Sequence, residues 1–332
     1  MPKQKFDICT FGSITLDLFL EANEITSKGE YIMLPIGDKI KLDGVHKFVG
    51  GGAANCGVGF VKLGLSTAAF GVIGDDEEAV FIAKDLKKNG LNTDFLIREK
   101  NESSSFSIIL TGKNGRRTVF HHRSTNQDFG ADSLKKAMGS RAIYIGHLYH
   151  GAEDLLFAIS GFNGLVAWNP GKTQFESGFN KFSKVFPRID VLILNVEEAE
   201  SFTGIEAPRI DLKDLTAKKI VNGFPVKEVA DLRTVAQKFL DAGVKRVVIT
   251  DGEKGTQCFD QDEHFFVRAS DQVPVSTLGA GDAFSVGFVG AILHGQDTVT
   301  AMKWGAASSG GVLRGFGAQN GQLTLEEIER VS

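Results

Sequence analysis

Only three cysteines, Cys9, Cys56 and Cys258, occur in 332 residues. They are too few for a disulfide framework and fit no zinc-ligand spacing, which points to a reducing compartment and a cytoplasmic location. No apolar run approaches the roughly 20 residues that cross a bilayer. The stretch from Met1 to Phe6 is polar and lacks the apolar centre of a secretory signal. An excess of one charge is missing as well. The 37 basic and 41 acidic residues leave −4, with both signs spread along the chain. This disfavours nucleic acid or an anionic membrane as the main partner.

Several ligand motifs are absent. His147 and His150 stand three apart and His121 adjoins His122, but neither pair has a third ligand or a His-Glu-x-x-His frame, so they read as core or surface histidines. Pro170-Gly171-Lys172-Thr173 has the tail of a P-loop, yet Val166 occupies the position of its first glycine. Gly50-x-Gly52 is followed by Asn55 where a dinucleotide fingerprint needs glycine, and no acidic strand end follows about twenty residues on. A nicotinamide-dependent dehydrogenase is therefore disfavoured.

What is present is an alternation of short apolar strands and helices. Strands are expected at Phe6–Phe11, Thr67–Ile73, Ala142–Ile145, Leu165–Trp168, Asp190–Leu194 and Arg246–Thr250. Helices are expected at Ala53–Leu63, Glu77–Lys88, Glu153–Ile159, Val196–Phe202, Val229–Ala242, Ala283–Leu293 and Leu323–Val331. Apolar strands in βαβα order predict a parallel sheet with helices on both faces. The 39 glycines show no repeat period and read as punctuation in a loop-rich α/β protein. Tyr31–Leu34 with Lys39–Phe48, and Ser103–Leu110 with Arg117–His122, are polar-faced strand pairs outside this order. Asn114-Gly115 is a hairpin turn signal between the second pair. These strands suggest a small separate sheet, a lid beside a site. Ile205–Val226 is charged, without clear period, and reads as a surface insertion.

The chain is organised around Val275-Ser276-Thr277-Leu278-Gly279-Ala280-Gly281-Asp282-Ala283-Phe284. Its glycines allow close backbone approach to a ligand, and the amides opening the following helix form an anion site. Asp282 sets a carboxylate beside that cup, a combination suited to phosphoryl transfer. Gly50-Gly51-Gly52 opens a second helix, and Asn55 lies within reach of a ligand hydroxyl. Asp17 follows the first strand, where α/β sheets bind ligands. Asn195 and Glu198, taken alone, resemble a capping box; the pair also suits Mg²⁺ held through waters. Thr250-Asp251-Gly252-Glu253-Lys254-Gly255 follows another apolar strand.

In this order the motifs resemble the ribokinase-like (PfkB) family of carbohydrate kinases over nearly the whole chain. Gly51-Gly52-Ala53-Ala54-Asn55 looks like its sugar-binding signature and Thr277 to Asp282 like its C-terminal signature. The resemblance implies a three-layer α/β sandwich with a central, mostly parallel sheet and a small β-lid. It implies one kinase domain over 1–332, with lid strands from about 18–49 and 103–122. Asp282 would be the general base, and the amides of Gly279, Ala280 and Gly281 the anion hole. Asp17, Gly51, Gly52 and Asn55 would bind the sugar. Thr250, Gly252 and Gly255 would bind ATP, and Asn195 with Glu198 would hold Mg²⁺ through water. Ser276 stands where many members have Asp, six residues before the base, which puts K⁺ activation in doubt. Arg116-Arg117 either meets a substrate phosphate or is a solvated charge. A sugar, a nucleoside and a catalytically silent sensor on the same fold stay open as readings. A homodimer through open lid edges is a further expectation.

Overall fold

The computed structural model describes residues 6–331 apart from 30, 113–116, 124–129, 150–152, 221, 222, 224, 272 and 273. The expected Asn114-Gly115 turn, Arg116 and His150 lie outside the described residues. In chain order the principal strands are β1 (Ile8–Phe11), β2 (Thr15–Ala22), β3 (Gly44–Gly50), β4 (Thr67–Phe70), β5 (Phe106–Gly112) and β6 (Arg117–His122). They continue with β7 (Ala142–Ile145), β8 (Leu165–Trp168), β9 (Val191–Asn195), β10 (Lys218–Ile220), β11 (Val247–Thr250), β12 (Thr256–Phe259) and β13 (His264–Val267). The helices are α1 (Gly52–Lys62), α2 (Glu77–Lys88), α3 (Gly130–Ala137), α4 (Asp154–Ala158), α5 (Lys172–Ser177), α6 (Val196–Thr203), α7 (Arg233–Asp241), α8 (Ala280–Leu293), α9 (Thr298–Val312) and α10 (Leu325–Val331).

Nine strands form one sheet in the order β10-β13-β12-β11-β9-β8-β7-β1-β4. From β4 to β11 every pairing is parallel; β12 is antiparallel to β11 and to β13. Successive residues of these strands point to opposite faces, and both faces are buried. Phe11, Ile143, Ile145 and Trp168 enter one core with α3, α4, α6 and α7. Ile8, Tyr144 and Ala167 enter the other with α1, α8, α9 and α10. This is why the strands read as continuous apolar runs. Trp168, Phe182, Phe186, Phe202 and Phe239 cluster in the first core. Full burial of such a side chain contributes roughly 1.5–3 kcal/mol.

A four-stranded sheet in the order β6-β5-β2-β3 covers one end of this sandwich. Gly44–Gly50, Phe106–Gly112 and Arg117–His122 fall in the expected lid segments, but Tyr31–Met33 pairs with Thr26–Lys28 in a separate two-stranded sheet and not with the 39–48 segment. A second correction concerns Asp17, which sits within β2, paired to both β3 and β5, and not in a turn after the first strand. Its strand alternates, and Leu16 packs with α2 residues Ile82 and Leu86 in a third core on the opposite face.

Other boundaries also move. Gly71 separates Thr67–Phe70 from Val72–Ile73, which pairs with Ile97–Arg98. The insertion is less irregular than its charge implied: Lys218–Ile220 is β10, an edge strand of the main sheet, and Arg209–Asp211 pairs with Glu228–Ala230. That pairing takes the first residues of the helix expected from Val229, which begins instead at Arg233. The hairpin β12–β13 and helices α3, α5 and α9 are additions to the expected elements. Helix α8 starts three residues earlier than its apolar run, so Asp282 lies in its first turn.

Candidate active site

Gly279 caps α8 with φ 81°, a left-handed conformation that favours glycine. A β-carbon there would also lie 2.3 Å from the Ala318 β-carbon. The first amides of a helix have no carbonyl partner within it, so those of Gly281 and Asp282 face outward at the positive end of the helix dipole. The Ala280 amide bends back to Thr277 O at 3.4 Å. Ser276 is buried, and its hydroxyl accepts the Leu278 amide at 3.3 Å, which tightens the same turn.

Helix α1 brings a second backbone turn to this point. Its N-terminal residues hang from Ser13: the hydroxyl accepts the Gly52 amide at 3.1 Å, and the carbonyl accepts the Ala53 amide at 3.1 Å. Gly51, with φ 90°, makes the entry turn. Four residues on, Asn55 Nδ2 donates to Asp282 Oδ2 at 2.8 Å. The other oxygen, Oδ1, lies 3.7 Å from where a β-carbon on Gly52 would be. Burial raises the Asp282 carboxyl above its ordinary value, and the Asn55 bond works against that rise. Beneath it, Cys56 Sγ approaches the Asp282 carbonyl at 3.7 Å.

Asp17 faces the same region from β2. Burial raises its carboxyl too, bonds from Ser107 and Thr15 lower it, and the Asp282 charge raises it further. Two carboxylates from distant segments are thus close enough to repel. Glu198 is a third. Burial is the largest cause of its raised carboxyl, and Asp282 is among the charges that add to it. Asn195 and Glu198 do form the capping box: each backbone amide donates to the other's side chain, at 2.9 Å and 2.8 Å. The second Glu198 oxygen has no hydrogen bond among the described residues. No group of three or more metal-ligating side chains occurs among them either.

Asn195 ends β9 and pairs in register with Thr250 at the end of β11. Gly252 and Gly255 follow with φ 50° and 106°. A β-carbon on Gly255 would meet Val267 O at 2.4 Å. Val267 and Arg268 also line a cavity of about 640 Å³, bounded on another side by Ala306 and Ala307 of α9. That volume is of the size that small-molecule ligands fill.

The remaining motifs fall elsewhere. Gly171-Lys172 begins the short α5, and a β-carbon on Gly171 would run into the His147 ring at 2.2 Å. His147 itself is lowered to about 4, by burial first and then by Arg123, and is neutral near pH 7. His121 and His122 are exposed on β6. Arg117, also on β6, is half-buried, and burial pulls its pKa down. The registers place it on the same face of the sheet as Asp17.

The sequence reading did not single out Gln319. Its side-chain amide donates to Val49 O at 2.9 Å and to Asn55 Oδ1 at 3.3 Å. No local pattern marks it, because both partners lie more than 260 residues away in the chain.

Residues 5–325 match the sequence model of the pfkB family carbohydrate kinases. A 5-dehydro-2-deoxygluconokinase of Geobacillus thermodenitrificans is 24% identical over 99% of this chain and 93% of its own. A ribokinase of Staphylococcus aureus is 24% identical over 98% and 99%. Among solved structures, Arabidopsis thaliana ribokinase complexed with ribose and ATP superposes with a TM-score of 0.77, at 19% identity and 98% coverage of both chains. A nucleoside kinase of Methanocaldococcus jannaschii, described as an archaeal member of the ribokinase family, gives 0.75 at 19% identity, covering 98% of this chain and 97% of its own. These likenesses identify the ribokinase fold.

Proposed function

The chain belongs to the pfkB family of carbohydrate kinases, and from that membership we propose that it transfers the terminal phosphoryl group of ATP to a hydroxyl of a small sugar or sugar-like substrate. The observation that carries this reading is the meeting of Asp282 with Asn55 at the mouth of the α8 amide cup. Asp282 accepts the proton of the attacking hydroxyl. That oxygen forms a bond to the γ-phosphorus as the bond to the β,γ-bridging oxygen breaks and ADP leaves. The expected amide set at Gly279, Ala280 and Gly281 shifts by one turn position: with Ala280 bonded back to Thr277 O, the free amides of Gly281 and Asp282 beside the Gly279 turn face the charge on the transferring group. Phosphoryl transfer needs positioning and charge stabilisation above all.

Asp17 and Asn55, with the backbone at Gly51 and Gly52, hold the sugar hydroxyls. Thr250, Gly252 and Gly255 border the nucleotide, whose base takes the adjoining cavity. Glu198, with Asn195 at its back, suits Mg²⁺ held through water, which neutralises phosphate charge; its unpaired oxygen and the lack of a three-ligand cage among the described residues support that mode. The four-stranded sheet serves as the lid, and the chain pairs through it as a homodimer.

A nucleoside is the second reading. Phe19, Phe48, His46 and Phe316 cluster on the Asp17 side of the lid, with ring centroids 5.5–6.1 Å apart, and offer ring surface for a base. A silent ligand sensor is the reading from another class. Asp282→Asn separates enzyme from sensor: turnover falls more than about a hundredfold while ligand binding persists. Unchanged turnover removes Asp282 from its role. A panel of sugars, sugar phosphates, sugar acids and nucleosides assayed for ADP release, with and without Mg²⁺ and K⁺, identifies the substrate class.

A further inference from the structure

The segment from Phe316 to Gln319 touches the lid, helix α1 and the Gly279 turn. Phe316 packs against Phe19 and His46 of the lid, at 5.7 Å and 5.8 Å between centroids. Gly317, with φ 86°, lies against Phe48, which is 3.1 Å from where its β-carbon would be. Ala318 occupies the space beside Gly279. Gln319 is buried, and its Nε2 donates both to the β3 carbonyl of Val49 and to Asn55 Oδ1. Its own carbonyl accepts Lys62 Nζ at 2.9 Å, which anchors the segment to α1.

The donor pattern of this chain has one consistent solution. An ionised Asp282 only accepts, so Asn55 must present Nδ2 to it. Asn55 then presents Oδ1 on its other side, and Oδ1 needs a donor. Gln319 Nε2 is that donor. With Gln319 present, the flipped amide carries two penalties, its oxygen against the carboxylate and its Nδ2 against Gln319 Nε2; without Gln319 only the first remains.

We propose that Gln319 is a positioning residue that fixes the amide orientation of Asn55, and through it the ionised state and aim of Asp282, while tying both to lid strand β3. The inference rests on Asp282 as the general base. Gln319 touches neither substrate nor the reacting atoms; it acts through Asn55. Because Val49 O shares the same Nε2, displacement of β3 disturbs the donor that Asn55 depends on.

The test is the pH dependence of kcat/KM in three variants. Gln319→Leu removes the donor. Gln319→Glu replaces it with an acceptor, which favours the flipped Asn55. Both raise the midpoint of the acid limb, by about half to one pH unit, because Asn55 is held less firmly in the orientation whose bond opposes the desolvation of Asp282. Turnover near neutral pH falls about tenfold, on the scale of a lost charge-assisted hydrogen bond, with a larger loss for Gln319→Glu. Gln319→His, which keeps a ring donor, recovers part of the loss. Repeating Gln319→Leu in an Asn55→Ala background produces no further shift of the acid limb, since the effect runs through Asn55. A purely structural role would lower the melting temperature and leave the limb in place. An unmoved limb in Gln319→Leu and Gln319→Glu, or an equal shift with and without Asn55, overturns the proposal. Asp282→Asn is run alongside: if it retains turnover, the base assignment itself has failed, and the two failures are told apart.

Discussion

The carboxylate of Asp17 fills the space beside Gly50: a β-carbon on Gly50 would lie 1.9 Å from Asp17 Oδ2. Gly50 pairs with Thr15 across β2 and β3, so Asp17 reaches over it diagonally on the same face. Gly50→Ala displaces the end of a side chain, which can rotate. The variant folds, and the KM for the sugar rises about tenfold with a smaller change in kcat, the signature of lost ground-state binding. Gly51→Ala behaves differently. Its φ is 90°, and its β-carbon would lie 2.4 Å from the Ser13 carbonyl oxygen, which is backbone and cannot yield cheaply. That variant loses on the order of 1–3 kcal/mol of stability. Melting curves beside steady-state kinetics separate the two, and an unaltered KM in Gly50→Ala would deny Asp17 its role in binding.

Asp282 costs the free protein stability. Burial raises its carboxyl above 3.8. Between that value and the raised one, the folded state holds more protons than the unfolded state. Stability contributed by this group is therefore lost as pH rises through the window. Asp282→Asn removes the cost while its oxygen still accepts from Asn55. At about pH 8 the variant melts above the parent protein, and the gap closes as pH falls toward the ordinary carboxylate value. A variant that melts lower at that pH would show that the Asn55 bond outweighs desolvation.

The parts legible in the sequence are those whose signal is local. Parallel strands such as Val191–Asn195 are apolar on both faces because two cores enclose them. Gly279 and Asp282 stand next to the apolar run they serve. Helix α9 was not legible: Ala301, Met302, Trp304 and Gly310 are buried and point to different sides of the helix, so no amphipathic stripe separates core from solvent. Strand β2 was missed because Asp17 reads as a turn residue until Ser107 from a distant strand pairs with it. Gln319 carries no signal at all, since its partners meet only in the fold.

Between lid strands β2 and β3, the chain carries the small sheet of Thr26–Lys28 and Tyr31–Met33, and this stretch presents apolar side chains to solvent. Tyr31 is 74% exposed and Ile36 fully so, with Met33, Leu34 and Val45 nearby. The expectation from sequence was pairing along polar-faced open edges; these side chains supply an apolar surface as well. If the chain dimerises here, light scattering gives twice the 35.8 kDa chain mass, and Tyr31→Asp with Ile36→Asp returns it to one. An unchanged mass in the double variant places the contact elsewhere.

Glu198 combines a cap with a charge, and a single substitution divides them. Its side chain accepts the Asn195 amide, and Asn195 accepts the Glu198 amide in return. Glutamine satisfies the same reciprocal geometry, so Glu198→Gln keeps the helix start and changes the melting temperature little. It removes the negative charge assigned to water-mediated Mg²⁺. The concentration of Mg²⁺ that gives half-maximal rate then rises about tenfold, the lower end for loss of an outer-sphere partner. Glu198→Leu loses cap and charge together and falls in both measurements. Burial already raises the Glu198 carboxyl, so the Mg²⁺ requirement of the parent protein also grows as pH is lowered, and that pH dependence is absent in Glu198→Gln. An Mg²⁺ response in Glu198→Gln identical to the parent's would leave the residue as a helix cap alone.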